Sequence, residues 1–361
     1  MTTAYIGLGS NLGDREKSVK RAVKILGETE GIEVIRVSDI IETNPLGQAN
    51  QPKYLNAAAE IETNLSAEDF HKRLVEIETS LSREKREKWA PRIIDLDLLL
   101  FGGDVINHPD LTVPHPQMHL RSFVLKGLCQ LNPELVHPVI NESMNELAVR
   151  LNDADFVLNP KVPQLVSIAG IIGVGKTTLA EKLSKLLGCK LQLEAYDTNP
   201  FMPEVYAGKK ELALDSQLYF LTSRTVQLNP DILEPGQIAI SDYIFDKELI
   251  YARGLLSARQ LSLYEKIYPP FAARVSSPVL VIYLQDSTEN CLERIHRRNR
   301  PYEQKIEMQF LESLDFNYRQ LFKDWKTCPV IRKQVSKFDC TKDTNLQHLA
   351  NEIKYYTAIK D

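Results

Sequence analysis

Residues Gly170–Thr177 read GIIGVGKT, a G-x-x-x-x-G-K-[ST] pattern set between an apolar run, LVSIAG, and an amphipathic stretch, TTLAEKLSKLLG. The pattern has chemical meaning only in that setting. Its glycines let backbone N–H groups wrap a phosphate chain at a helix N-terminus, Lys176 reaches the β- and γ-phosphates, and Thr177 is placed to ligate Mg²⁺. Gly170, Gly173, Gly175, Lys176, Thr177 and Thr178 are therefore candidate ATP contacts. Leu179, Leu183 and Leu186 form one stripe and Gly188 supplies a stop, so a helix is expected from Lys176. VLVIYL at 279–284 is a second near-continuous apolar run followed by helical sequence. Continuously apolar strands alternating with helices specify a buried parallel sheet, which makes this part of the chain α/β.

A phosphate loop leaves the acceptor undecided. ERIHRRNRPYE at 293–303 carries Arg294, Arg298 and Arg300 within two helical turns, the composition of a lid that brings guanidinium groups onto a transferring phosphoryl group. A solvent-facing basic helix is the plainer alternative. An acceptor hydroxyl needs a base, and Glu194 in LQLEAYDTNP follows a short apolar segment, where strand C-terminal ends converge in such sheets. Asp242 in AISDY is the competing carboxylate, with a water-mediated hold on Mg²⁺ as its other role.

At 361 residues the chain is long enough for two domains. The clearest composition shift is NDADFVLNPKVPQ at 152–164, with two prolines and no apolar period. It sets a first domain at 1–155, a linker at 156–162 and a second domain at 163–361. In the first domain, strands are expected near 3–8, 32–37, 54–62 and 93–101, and helices near 15–26 and 66–81. Ser66 followed by Asp69 is an acidic variant of the capping box. Two strands in succession exclude a purely parallel sheet, so this half is expected to be an α+β sandwich, ferredoxin-like, with a mixed or antiparallel sheet.

Within IIDLDLLLF at 93–101, a period of two sends Ile94, Leu96 and Leu98 to one face and Asp95 and Asp97 to the other. Two carboxylates in one small volume need protons or cations between them, and hard oxygen ligands beside phosphates suit Mg²⁺. Upstream, SREKREKWAPR delivers Arg83, Lys85, Arg86, Lys88 and Arg92 to the same strand end, and Trp89 offers a flat ring to a heterocycle. A wet edge strand beside a solvated charge run is the plainer reading of the same residues.

Composition bounds the partners. The chain is 43% hydrophobic and 25% charged, ordinary globular values, and its net charge of −4 leaves no domain-wide basic surface for nucleic acid or anionic membrane. Five cysteines show neither a C-x-x-C pair nor a disulfide framework and read as reduced thiols. The N-terminus lacks the pattern of an export signal and no apolar run approaches membrane-spanning length, so a cytoplasmic location is expected, with no nucleic-acid or membrane partner.

The segments AYIGLGSNLGD, ETNPLG (42–47), QPKYLNAA (51–58), WAPRIIDLDLLLFG (89–102) and LTVPHPQMHLRSFVL (111–125) together resemble the 6-hydroxymethyl-7,8-dihydropterin pyrophosphokinases of folate biosynthesis, over roughly residues 1–155. The resemblance implies that Asp95 and Asp97 hold Mg²⁺ across ATP, and that Arg83 and Arg92 neutralise the transferring diphosphoryl group. It places Glu78, His115 and Arg121 on the nucleotide side. The pterin would lie between Trp89 and Phe123, contacted by Asn56, by Tyr54 and by backbone around Thr43 to Leu46. The family's usual Trp-Gly-Pro-Arg is Trp-Ala-Pro-Arg here, and the loop between Arg83 and Trp89 is shortened. Neither departure removes a metal ligand or the paired arginines, so the activity is expected to be retained.

GIIGVGKTT, EAYDTNPF, YAGKKELALDSQLYFLTSR, SDYIFDK and RIHRRNRPYEQ resemble the deoxynucleoside kinase family, over about residues 163–330. The match implies that Glu194 is the general base on the 5′-hydroxyl. Gln217 and Arg224 would read the base, Tyr206 and Glu303 would hold the sugar 3′-hydroxyl, and Arg294, Arg298 and Arg300 would form the lid. An arginine beside that glutamine implies a purine or cytosine nucleoside over thymidine. One departure stands out: many members carry Asp/Glu-Arg-Ser where this chain has Asp242-Tyr243-Ile244, and Lys247 or a lid arginine is the available substitute. The resemblance also implies a homodimer through helices of this half. The expectation is a bifunctional ATP- and Mg²⁺-dependent enzyme acting on small molecules, with a nucleotide-sensing module or another small acceptor as the alternative for the second half.

Overall fold

A computed structural model describes residues 1–46, 51–81 and 93–358, in two units, Met1–Val157 and Leu158–Asp361. The first unit contains β1 (Thr2–Ser10), α1 (Arg15–Glu28), β2 (Ile32–Val37), β3 (Ile41–Thr43), β4 (Tyr54–Thr63), α2 (Ala67–Leu81), β5 (Asp95–Phe101), β6 (Ile106–His108), β7 (Leu111–Val113), α3 (Ser122–Leu131) and α4 (Met144–Leu151).

Its main sheet runs β2-β4-β1-β5, with β3 also paired to β4. Every pairing in it is antiparallel. β1 and β2 are thus parallel with β4 between them, and β4 and β5 are parallel with β1 between them. Two such split β-α-β units carry α1 and α2 over one face, as in ferredoxin-like sheets. Period-two alternation supplies the packing on that face: Ala4, Ile6 and Leu8 of β1 meet Val19, Ala22 and Leu26 of α1 and Phe70, Leu74 and Ile77 of α2 in one core. The capping expected at Ser66 is present, its hydroxyl accepting from the Asp69 N–H at 3.1 Å. On the opposite face α3 lies against β4. A Cβ at Gly127 would stand 2.8 Å from Ala58 Cβ, so the close approach of helix to strand depends on glycine.

Between α3 and α4, His137 is fully buried. Its Nδ1 accepts from the N–H groups of Val139 at 3.3 Å and Ile140 at 3.2 Å. Burial, and then the neighbouring His119, pull its pKa down to about 3 from 6.5. A histidine with a folded value below its unfolded one contributes stability that is complete above pH 6.5 and is lost as pH falls toward about 3. Across that window the wild type is expected to lose up to about 1.4 kcal/mol per pH unit from this group. In urea unfolding at pH 7 and pH 4, His137→Asn should show the shallower dependence, and an unchanged slope would remove His137 from the account.

The second unit contains β8 (Gln164–Ala169), α5 (Lys176–Leu187), β9 (Lys190–Gln192), α6 (Met202–Tyr206), α7 (Ala213–Gln227), β10 (Ile238–Ser241), α8 (Lys247–Leu255), α9 (Ala258–Ala272), β11 (Leu280–Gln285), α10 (Thr288–Arg298), α11 (Met308–Lys323), β12 (Val330–Gln334) and α12 (Asp343–Tyr355). Its sheet runs β12-β11-β8-β10-β9 and all its pairings are parallel. β8 is buried along its whole length, its two polar side chains satisfied by Gln164 Nε2 donating to the Asn159 carbonyl at 2.9 Å and by the Ser167 hydroxyl pairing with that of Ser241 at 2.9 Å. A parallel sheet puts all strand C-termini on one rim. Gly170 follows β8, Glu194 lies just past β9, Asp242 follows β10 and Asp286 follows β11, so sequence-distant residues meet there. Among the described residues no helix is long and apolar enough to cross a membrane.

Candidate active sites

In the first unit, register builds the floor of a site. Gly9 of β1 pairs with Asn56 of β4 on one side and with Asp95 of β5 on the other, and Gly7 pairs with Asp97. A side chain at position 9 would put its Cβ 3.2 Å from Asn56 Oδ1. Glycine keeps this floor low enough for a flat ligand. Asn56 Nδ2 donates to Thr43 Oγ1 at 2.7 Å, which fixes the amide. The resulting cavity, about 380 Å³, is lined by Thr43, Leu46, Tyr54, Asn56, Asp95, Asp97, His115, Arg121 and Phe123, all of them residues singled out in the sequence, by Asn44 within the Thr43–Leu46 stretch, and by Gln51 and Gln117, which were not singled out. Gln51 lies in a quoted motif, but a polar residue gives no further signal there.

Asp97 Oδ2 lies 3.3 Å from Arg121 Nη1 and 4.0 Å from His115 Nε2. Burial, reinforced by Arg121, lowers the His115 pKa to about 3, so this imidazole is neutral at pH 7. Glu78 is placed differently from the other predicted residues. Its carboxylate accepts the Leu96 N–H at 2.5 Å, tying α2 to β5 between the two aspartates rather than lining the cavity. Arg83, Trp89 and Arg92 lie outside the described residues.

The second unit gathers its predicted residues around one cavity of about 330 Å³. Gly173, Gly175, Lys176, Thr177 and Thr178 form its phosphate-loop end, with Arg294, Arg298 and Arg300 alongside. Glu194, Tyr206, Gln217, Arg224 and Glu303 complete the wall. Gly170 does not line it. At φ +139° a Cβ there would lie 2.6 Å from the Leu284 carbonyl oxygen, so this glycine serves the packing of loop on strand. Gly173 is equally constrained, with φ +83° and a Cβ position 2.4 Å from the Cys291 carbonyl oxygen of α10. Lys176 Nζ donates to the Ile171 carbonyl at 2.9 Å across the loop. Burial, then the nearby Lys247, lowers its pKa to about 8.

The two carboxylates that competed in the sequence have separate surroundings. Asp242 accepts from Thr177 Oγ1 at 2.6 Å and from the Glu194 N–H at 2.8 Å. Glu194 accepts from Arg224 and, through both oxygens, from Lys247 Nζ at 2.7 Å. Burial alone would push Glu194 up, but Arg224 and Lys247 outweigh it and hold the carboxyl well below the usual range.

Arg224 is anchored at two ends, by Glu194 and by Glu248, and Glu248 also accepts from Tyr264. Beside it, Gln217 Oε1 is buried without a hydrogen-bond partner. Glu248 was missed because an acidic residue in the first turn of a helix reads as a dipole partner. The arginine-rich segment is also organised by carboxylates. Arg294 pairs with Asp286 at 2.5 Å and points Nη1 at the Gly173 carbonyl, 3.4 Å away. Arg298 and Arg300 share Glu303. Asn299 ends α10 in the left-handed conformation, so Arg300 lies beyond the helix, its guanidinium 4.1 Å over the Tyr196 ring. Chemically, one cavity thus holds a phosphate cradle, an oriented carboxylate and an unfilled amide acceptor.

Comparison with known proteins agrees with this division. The family model of 7,8-dihydro-6-hydroxymethylpterin-pyrophosphokinase matches residues 5–133, and that of deoxynucleoside kinase matches residues 166–357. The 2-amino-4-hydroxy-6-hydroxymethyldihydropteridine pyrophosphokinase of Bacillus subtilis is 38% identical over 148 residues, 41% of this chain and 89% of that protein. Its counterpart from Haemophilus influenzae is 37% identical over 161 residues, 44% of this chain and all of that protein. A solved structure of deoxyadenosine kinase from M. mycoides is 27% identical and covers 53% of this chain and 98% of its own, with a TM-score of 0.44. The chain therefore belongs to two families in succession, the hydroxymethyldihydropterin pyrophosphokinases through its first unit and the deoxynucleoside kinases through its second.

Proposed function

We propose that the protein catalyses two ATP-dependent transfers. In the first unit the hydroxymethyl oxygen of 6-hydroxymethyl-7,8-dihydropterin attacks the β-phosphorus of ATP, the α–β bridge breaks, AMP leaves and the hydroxyl proton passes to solvent, a step of tetrahydrofolate synthesis. In the second, the 5′-oxygen of a deoxynucleoside attacks the γ-phosphorus, the β–γ bridge breaks, ADP leaves and Glu194 receives the hydroxyl proton. Both reactions depend on positioning and charge neutralisation more than on a covalent residue.

The observation that carries the reading is the composition of each cavity, in which cationic and carboxylate side chains share one lining with aromatic and amide side chains. In the first, Phe123, Tyr54 and Asn56 would hold the pterin with Trp89, while Arg83, Arg92, Arg121 and His115 would face the phosphates. In the second, Gln217 supplies the unfilled acceptor for a base, Tyr206 and Glu303 lie by the sugar position, and Lys176 and the three lid arginines meet the phosphates. Asp242 is engaged by Thr177 at the phosphate loop, whereas Glu194 keeps an open site on Oε2, so Glu194 is the base in this reading.

Mg²⁺ fits both sites on donor chemistry. Asp95 and Asp97 project from alternate residues into one cavity, and Thr177 and Asp242 place a hydroxyl and a carboxylate together at the phosphate loop. When bound, the ion neutralises charge on phosphate oxygens. The family resemblance extends the reading to a homodimer through helices of the second unit.

Product identity tests both halves in one sample of full-length protein. ATP with the pterin should yield AMP, and ATP with a panel of deoxynucleosides should yield ADP and a 5′-monophosphate. Deoxynucleotide binding without ADP release would replace the kinase reading by the sensor.

A further inference from the structure

The Glu194 carboxylate is useful to an acceptor hydroxyl only in a fixed orientation, and the turn after β10 decides what fixes it. Asp242 directs its carboxylate to Thr177 and the Glu194 N–H. Tyr243 turns the other way. It is fully buried in the core with Leu165 and Leu221, its hydroxyl donating to Gln227 Oε1 at 2.6 Å. Position 243 therefore presents nothing to Glu194. Lys247, the first residue of α8, comes back to it instead, its side chain only 5% exposed and its ammonium bridging both carboxylate oxygens at 2.7 Å.

A carboxylate offers about four lone-pair sites. Lys247 takes one on each oxygen and Arg224 takes a second on Oε1, which leaves the open site on Oε2. Arg224 alone would not define this orientation, because it grips Oε1 only and is shared with Glu248. The terminal torsion of a glutamate is broad and roughly two-fold, so a one-oxygen anchor lets the group rotate.

We propose that Lys247 is a positioning residue for phosphoryl transfer, locking the Glu194 carboxylate so that Oε2 faces the acceptor hydroxyl. The proposal rests on the kinase reading of this cavity. It gives the substituted Asp-Tyr-Ile turn a functional cation from the start of α8, four residues beyond Tyr243.

The test uses full-length protein with ATP and the best deoxynucleoside of the panel. Lys247→Met should lower kcat about 10²-fold, the cost of a misplaced reacting group. The nucleoside KM should move by less than about threefold, since ground-state binding does not depend on this orientation. Lys247→Arg should recover kcat to within about tenfold of wild type by gripping both oxygens. Lys247→Gln serves in place of Met if that variant loses its melting transition. Wild-type kcat in a folded Met or Gln variant overturns the proposal and leaves the kinase reading standing. So does an Arg variant no better than Met while its melting transition is intact. Absence of ADP formation by the wild type itself would overturn the kinase reading and the proposal together.

Discussion

Glu194→Gln is expected to lower kcat for deoxynucleoside phosphorylation by about 10²- to 10³-fold, within the range that a positioned general base contributes. The substitution keeps length and shape, so the loss reports charge and proton acceptance. It is expected toward the lower end for a reason visible in the site. With Arg224 and Lys247 holding its pKa well below the usual carboxylate range, Glu194 is a weak base in the substrate-free protein. In a loose phosphoryl-transfer transition state the proton leaves late, and much of the carboxylate's service is to aim the hydroxyl. Stability should move as well. Neutralising Glu194 leaves Lys247 and one end of Arg224 without their counter-charge at 5% and 3% side-chain exposure. Breaking a buried pair costs about 3–5 kcal/mol. Because Glu248 still pairs with Arg224, a loss of about 1–3 kcal/mol in denaturant unfolding is the expected remainder. Labelled-ATP turnover and unfolding curves on the same preparation separate the two effects. A well-folded Gln variant with wild-type kcat would return the base assignment to Asp242.

How far the sequence led depended on whether a feature was local. The phosphate loop was legible because its glycines, lysine and threonine act within eight residues, and the flanking strand and helix have strong periodicities. The aspartate pair was legible because side chains alternate along a strand, and Asp95 and Asp97 stand half-exposed between buried Leu96 and Leu98. What stayed hidden was set by pairs far apart in the chain. Glu78 gave no sign that it would accept an amide from β5, because that contact needs α2 and β5 to be docked first. The two carboxylates that anchor Arg224, one 30 residues before it and one 24 after, gave no sign in the sequence. The Asp242-Tyr243-Ile244 turn looked like a missing cation. Lys247 was a candidate substitute there beside the lid arginines, and only the fold shows Tyr243 buried and the Lys247 ammonium on Glu194. β3 and the β6–β7 hairpin, at three residues a strand, were too short to carry a period.

In the first unit, Asp97→Ala should reduce AMP formation from ATP and hydroxymethyldihydropterin by at least about 10³-fold, the rate equivalent of several kcal/mol of charge stabilisation. The position makes the experiment clean. Asp97 lies opposite Gly7, which presents no side chain to collapse upon, and its carboxylate is 37% exposed, so alanine leaves no core cavity. The structural cost falls on Arg121 and His115, whose nitrogens lie 3.3 and 4.0 Å from the lost carboxylate. Unfolding free energy should therefore fall by no more than about 1 kcal/mol, the worth of a partly exposed ion pair. ADP formation with a deoxynucleoside should persist in the same sample, because that chemistry uses the second unit's cavity. Asp97→Asn sharpens the result. It preserves shape and an oxygen ligand but halves the negative charge of the pair, so it should fall between wild type and alanine, with its deficit partly relieved by raised Mg²⁺. A fully active alanine variant would show that the paired carboxylates of β5 do not hold the ion. An inactive variant that has also lost its melting transition would place the defect in folding, and the asparagine variant would then decide.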